Sequence, residues 1–166
     1  DAFYTKPVSI IVPVYNEEMG IVDTVRSLFS LRYPQTEIII VNDGSSDQTL
    51  EKTLRELKMR PINKIVRKSI ETKPIKGIYT SELYPDCYLI DKENGGKADA
   101  LNVGINVSSY PYFCSLDGDS ILDENSLLRI MKPIMLSGGD VIASGGNVRI
   151  ANGGTMELGH IQHQEL

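Results

Sequence analysis

No apolar run in this 166-residue sequence approaches the roughly 20 residues that a membrane-crossing helix needs, and no signal peptide opens it. Positive charge is scarce: 17 Lys and Arg face 22 Asp and Glu, for a net charge of −5. That deficit excludes a broad electrostatic grip on nucleic acid. An acidic chain can still hold a phosphorylated ligand, but it needs a metal ion or aimed backbone N–H groups to do so. Cysteine is also scarce. Cys87 and Cys114 form no CxxC or Cys/His spacing, and each sits in an apolar strand-like stretch. They read as reduced core residues of a cytosolic compartment rather than as a disulfide. Internal repeats and domain boundaries are absent, so residues 1–166 read as one domain. The sequence opens on Asp1 rather than Met, and the expectation is an excised piece whose parent carries any membrane segments.

What is present alternates between two periods. Val8–Val14 and Glu37–Asn42 are short β-branched runs that read as buried strands. Between them Ile21, Val22, Val25, Leu28 and Phe29 recur at helical spacing, with Glu17 and Glu18 in the first turn. Gly44-Ser45-Ser46-Asp47 breaks the second strand and offers caps for a helix marked by Leu50, Leu54 and Leu57. Ile62–Val66 reads as a weaker strand, and Arg67–Pro85 as an irregular insertion. Cys87–Asp91 is a strand, followed by a helix with Ala98, Leu101 and Ile105 on its buried face and Gly104 marking close packing. Tyr112–Leu116 is the next strand. Asp123 then caps an expected helix over Leu127, Leu128, Met131 and Ile134, kinked near Pro133. Asp140–Ile150 holds a further strand interrupted by Gly145-Gly146, and the tail has little periodicity. This alternation predicts an α/β sandwich around a mostly parallel sheet flanked by helices. Such sheets bind ligands beyond the carboxyl ends of their strands. Tyr15-Asn16, Asp43, Asn94–Lys97 and Asp117–Asp119 all follow strands and should therefore gather on one edge.

Four segments carry chemistry. Asp117-Gly118-Asp119 sets two carboxylates around a small residue, the hard oxygen donors that Mg²⁺ or Mn²⁺ takes together with phosphate oxygens. An ordinary acidic turn has the same composition. Asp43, in Val41-Asn42-Asp43-Gly44-Ser45-Ser46-Asp47, could accept a hydrogen bond from a nucleobase N–H. The same stretch serves equally as a strand–turn–helix junction, in which capping by Ser46 or Asp47 leaves Asp43 free. Asn94-Gly95-Gly96-Lys97 offers close backbone approach and a point charge for a diphosphate, although a solvated lysine after a turn would look alike. It is not a Walker A loop, because GxxxxGK[ST] is absent. In Pro13-Val14-Tyr15-Asn16-Glu17, Tyr15 could stack on a base and Asn16 could bond to it, or both could be turn residues at the sheet edge. His160 and His163 could share a helix face, but no carboxylate or Cys partner supports a metal there. Lys64, Arg67 and Lys68 read as a solvated surface.

Together, VSIIVPVYNEE (8–18), VNDGSSD (41–47), KENGGKADALN (92–102) and SLDGDS (115–120) resemble the opening half of family-2 glycosyltransferases, over nearly the whole chain. The GGKADALN form is similar to the processive, membrane-anchored synthases of poly-N-acetylglucosamine, chitin, hyaluronan and cellulose. The resemblance implies a GT-A fold, truncated at its C-terminus. It implies a UDP-sugar donor, a glycan or lipid-linked acceptor, and a Mg²⁺ or Mn²⁺ cofactor. It places the parent protein at the cytoplasmic face of the membrane. By the same resemblance the donor site comprises Pro13, Tyr15, Asn16, Glu17, Asp43, Gly96, Lys97, Asp117, Gly118 and Asp119. Tyr15 and Asp43 would hold the base, Lys97 the diphosphate, and Asp117 and Asp119 the ribose and metal. Where the family often has two acids, this sequence has Asn42-Asp43.

The family's inverting members carry a catalytic carboxylate, usually in an ED pair, roughly a hundred residues after the DxD. Residues 120–166 contain no ED pair and no QxxRW segment. The general base is therefore expected beyond Leu166, and this chain alone is expected to be inactive in transfer. The expected reaction is inverting transfer of a hexosyl or N-acetylhexosaminyl group in polysaccharide synthesis. A non-processive, single-transfer enzyme is the alternative within the family. A nucleotidyltransferase would want a Gly-rich loop with Arg after the first strand, and this sequence has Val14-Tyr15-Asn16 there. A receiver-like or other non-catalytic nucleotide-binding module is the non-enzymatic alternative. A receiver needs an acidic pair right after the first strand, whereas Glu17 and Glu18 fall in the first helical turn.

Overall fold

The computed structural model describes residues 6–31, 33–125, 127, 146–149 and 155–160, the last two segments chiefly by their backbone. The elements are β1 (Val8–Val14), α1 (Ile21–Leu28), β2 (Thr36–Asp43), α2 (Thr49–Glu56), β3 (Met59–Pro61), β4 (Ile75–Ser81), β5 (Cys87–Lys92), α3 (Lys97–Val107), β6 (Tyr112–Leu116), β7 (Gly146–Arg149) and β8 (Thr155–His160). They form one sheet in the order β3-β4-β5-β2-β1-β6-β8-β7.

The α/β class holds, but the sheet is mixed rather than mostly parallel. Only the central β5-β2-β1-β6 set is parallel. Both margins pair antiparallel. The central strands are the ones with near-continuous apolar runs, because helices cover both of their faces. All seven residues of β1 are buried. Ile10, Val12, Ile38, Ile40 and Leu89 face the side that receives Val22, Val25 and Leu28 of α1. Ile11, Ile39, Val41 and Ile90 face α3. This split follows from the two-residue period of a strand.

The buried face of α3 differs from the expected one. It consists of Ala100, Val103, Gly104 and Val107, with Leu101 and Ile105 only partly buried at its flank and Ala98 exposed. Gly104 explains the rotation: a Cβ there would lie 2.4 Å from Ile11 Cγ2, so the helix seats its smallest residues against β1.

Three margin elements depart from the sequence reading. The strand expected at Ile62–Val66 lies earlier, at Met59–Pro61. The insertion expected to be irregular contains β4, which pairs with β5. The tail contains β8, paired with β6, so His160 lies in a strand and not on a helix face. β4 and β8 are paired on both edges, but their residues alternate only weakly, so their pattern is hard to read from sequence alone. β7 falls within the expected Asp140–Ile150 strand. The remainder of that strand, most of the expected Asp123–Ile134 helix, and His163 lie outside the described residues. Cys87 and Cys114 are buried and unpaired, as expected. Burial pushes the Cys87 thiol up to about 12 and the Cys114 thiol up as well.

Candidate functional site

The carboxyl ends of β1, β2 and β6 and the start of α3 open onto one cleft of about 280 Å³. Tyr15, Glu17, Asp43, Lys97, Asp117 and Asp119 line it, with Pro13 and Gly118 in its wall. The strand-following segments therefore meet on one edge, as the parallel core requires. Two expected site residues, Asn16 and Gly96, lie beside the cleft rather than in its lining.

Acidic groups dominate one side. Burial, and then the nearby Asp119, Asp117 and Asp47 carboxylates, hold the Glu17 carboxyl above its ordinary range. Lys97 answers this charge with Nζ 2.5 Å from Asp117 Oδ1, in a pair that is largely exposed. Gly118 lets the acidic turn approach β1: a Cβ there would lie 2.7 Å from Val14 Cγ1 and 3.3 Å from Glu17 Cγ. Its carbonyl accepts the Thr24 hydroxyl at 2.8 Å, which ties the turn to α1. Among the described residues, no three His, Cys, Asp or Glu side chains form a closed metal nest. Two carboxylates with positions left for ligand oxygens suit Mg²⁺ or Mn²⁺ bound together with a diphosphate. On that donor set the acidic turn fits the metal.

The profile of the family described as "Glycosyl transferase family 2" matches residues 9–80 and 72–164. The chain belongs to glycosyl transferase family 2. It is 35% identical over 156 residues to a poly-beta-1,6-N-acetyl-D-glucosamine synthase of Staphylococcus epidermidis, covering 93% of this chain and 31% of that protein. A synthase of the same name from Staphylococcus aureus is 35% identical over 120 residues, covering 72% of this chain and 23% of that protein. The chain thus spans under a third of the length of these curated relatives. Among solved structures, the fold is similar to mannosyltransferase PcManGT from Pyrobaculum calidifontis in complex with GDP-Man and Mn²⁺. That match has a TM-score of 0.62 and 23% identity, over 81% of this chain and 34% of the other. It is also similar to Staphylococcus aureus TarS 1-349 in complex with UDP-GlcNAc, with a TM-score of 0.52 and 22% identity over 77% and 31% of the two chains.

In this family-2 chain, some expected site residues have work inside the protein. Asn16 adopts a left-handed backbone with φ of 54°, which Asn tolerates better than most residues. Its Oδ1 accepts the backbone N–H groups of Ser46 at 2.8 Å and Asp47 at 3.2 Å, tying β1 to the loop before α2. The N-cap of α2 is Gln48, and no side chain caps it, contrary to the expectation for Ser46 or Asp47; Asp47, one residue earlier, accepts the Thr49 N–H at 2.9 Å on its Oδ1. Asn42, at the position where the family often has an acid, bridges Asp91 at 3.0 Å and the Ser45 hydroxyl at 2.6 Å.

Asp43 lines the cleft but is not free. Asp43 is 4% exposed and pairs with the wholly buried Lys92. Lys92 had no role assigned from the sequence, although it opens the KENGGKADALN segment. The readable signal was a lysine ending a buried strand. The pairing that places Lys92 opposite Asp43 is long-range and appears only in the folded sheet.

Proposed function

We propose that this chain is the donor-binding part of an inverting, metal-dependent glycosyltransferase that uses a UDP-sugar, with N-acetylglucosamine as the favoured sugar. One observation carries the reading: an acidic turn, a lysine and an exposed tyrosine converge in one cleft at the carboxyl edge of the parallel core. The relatives' polymer-synthase names support the choice of sugar and extend the reading to a growing glycan as acceptor.

Each residue has an assigned task. Tyr15, half-exposed on the cleft wall, stacks on the base. Asp117 and Asp119 hold Mg²⁺ or Mn²⁺, which would supply positive charge to the leaving diphosphate when bound. Lys97 exchanges its partner Asp117 for a diphosphate oxygen and stabilises the charge that develops there. The acceptor oxygen bonds to the anomeric carbon as the bond from that carbon to the diphosphate breaks, and the configuration inverts. We place the carboxylate that takes the acceptor proton outside residues 1–166.

The test is titration of UDP with and without Mn²⁺. Binding is expected to need the metal and to be lost in both Asp117→Asn and Asp119→Asn, because each keeps shape but removes charge. Affinity unchanged by EDTA and by both substitutions would refute the metal role. A preference for nucleoside triphosphates would point instead to a nucleotidyltransferase.

A further inference from the structure

Positive charge, scarce in the chain as a whole, is concentrated in one stretch. Residues 58–76 hold seven Lys and Arg against one acid, Glu71, while the rest of the chain holds ten against 21. This stretch joins β3 to β4 and packs on the α3 face of the sheet, where Val66 and Ile75 meet Val103 and Val107. A groove of about 620 Å³ opens there and shares no lining residue with the donor cleft. Its walls are aliphatic, with Val66, Ile70, Pro74, Ile75 and Ile78 and no aromatic ring, and the exposed Lys68 and Lys73 also line it. The groove is held open by the fold. Asn106, 5% exposed, grips Ile70 on both sides: its Oδ1 accepts the Ile70 N–H at 3.1 Å and its Nδ2 donates to the Ile70 carbonyl at 2.7 Å. The Lys73 N–H donates to Asp99 Oδ1 at 3.1 Å, which ties the other end to the start of α3. Just before the groove, the usual order of charge and oil is reversed. Lys64 turns inward, with its ammonium 4.3 Å from the Tyr88 ring centre and 3.9 Å from the buried Glu37 carboxylate. Its neighbour Ile65 is 87% exposed.

We propose that this groove and Ile65 form a docking surface for an anionic lipid bilayer, with acyl chains against the aliphatic walls and lipid phosphates on Lys68 and Lys73. The charge is complementary, and lysine stems can lie along an apolar wall while their ammonium groups reach the headgroups. One exposed isoleucine is ordinary by itself. Beside an aliphatic groove and the exposed cations Arg67, Lys68, Lys73 and Lys76, it completes an amphipathic surface of the kind that lies in a membrane interface. A single-stranded nucleic acid would instead want aromatic rings to stack on, and the groove has none. This reading is independent of what the donor cleft binds.

The experiment is co-sedimentation of the chain with vesicles of equimolar phosphatidylglycerol and phosphatidylcholine, and with vesicles of phosphatidylcholine alone. Wild type is compared with Lys68→Gln, Lys73→Gln, Ile65→Ser and, on the opposite face of the sheet, Arg55→Gln. Binding is expected on the anionic vesicles only, and it should weaken as salt rises. Lys68→Gln and Lys73→Gln should each lose about fivefold in affinity, Ile65→Ser should lose a similar factor, and Arg55→Gln should bind as wild type does. All four changes are at exposed side chains, and melting curves like the parent's would show that the fold is kept. Glycerol phosphate at matched ionic strength should not displace the chain from the vesicles. The proposal is overturned if wild type ignores the anionic vesicles, or if Arg55→Gln loses as much as the groove variants, since that marks unspecific attraction. It is overturned also if glycerol phosphate competes fully, which would leave a site for a free phosphate. Binding to polyglutamate that the groove variants abolish, with vesicles ignored, would overturn it in favour of an acidic protein partner.

Discussion

Gly118→Ala tests whether packing against β1 places the acidic turn. The added Cβ would lie 2.7 Å from Val14 Cγ1, 3.3 Å from Glu17 Cγ and 3.6 Å from the Pro13 carbonyl. Non-bonded carbons prefer about 3.5–4.0 Å, so the Val14 contact must open by about 1 Å. Val14 is 2% exposed and has a stiff, branched side chain, so it cannot swing aside. The turn must move instead, against the Thr24 hydroxyl that anchors the Gly118 carbonyl. Overpacking of this kind costs about 1–3 kcal/mol. The reduced freedom of the unfolded chain offsets about 0.4–1 kcal/mol. The net loss of about 1–2 kcal/mol lowers the melting temperature by about 2–8 °C for a chain of this size. The functional loss is larger, because misplacing a site by about 1 Å can cost about 100-fold. Melting and UDP titration with Mn²⁺ read the two effects. Gly96→Ala is the contrast: nothing lies within 4 Å, but φ is +97°, so its cost is backbone strain without crowding. A Gly118→Ala protein that melts and binds like the parent would refute the packing account.

Three further outcomes follow from the same geometry. Tyr15→Ala is expected to weaken UDP more than pyrophosphate, by about 1–3 kcal/mol for the lost stacking; equal losses in a competition titration would exclude a base contact. Asp43→Ala strips a buried lysine of one carboxylate. It should destabilise the chain by about 3 kcal/mol or more in denaturant melts, and a near-wild-type midpoint would disprove the buried pair. For Glu17, burial and then its acidic neighbours raise the folded-state pKa. The cost of ionising it is absent well below the ordinary Glu range of about 4 and grows as pH rises through the raised value. Glu17→Gln should therefore melt higher than the parent at neutral pH and converge with it in acid, and the reverse order at pH 7 would show that Glu17 is not repelled.

The central strands, their helices and the shared edge were legible in the sequence because local rules governed them. Apolar runs such as Val8–Val14 are long enough to mark strands buried on both faces, and segments that end parallel strands must share an edge. Gly104 announced close packing because a helix interior tolerates glycine only at a cost. The margins were less readable, since β4 and β8 take their identity from antiparallel partners in β5 and β6 that lie 8 to 48 residues away in sequence, such as Thr80 opposite Tyr88 and Tyr112 opposite His160. Within the site, sequence named Asp43 and Lys97 as residues facing a ligand. Only tertiary structure decided which protein groups Asp43 also engages, because β2 and β5 bring Lys92 opposite it and the following turn folds back to donate two N–H groups. A buried charge must find partners wherever the fold puts it, and which partners those are is set by strand register, a property that no segment contains by itself.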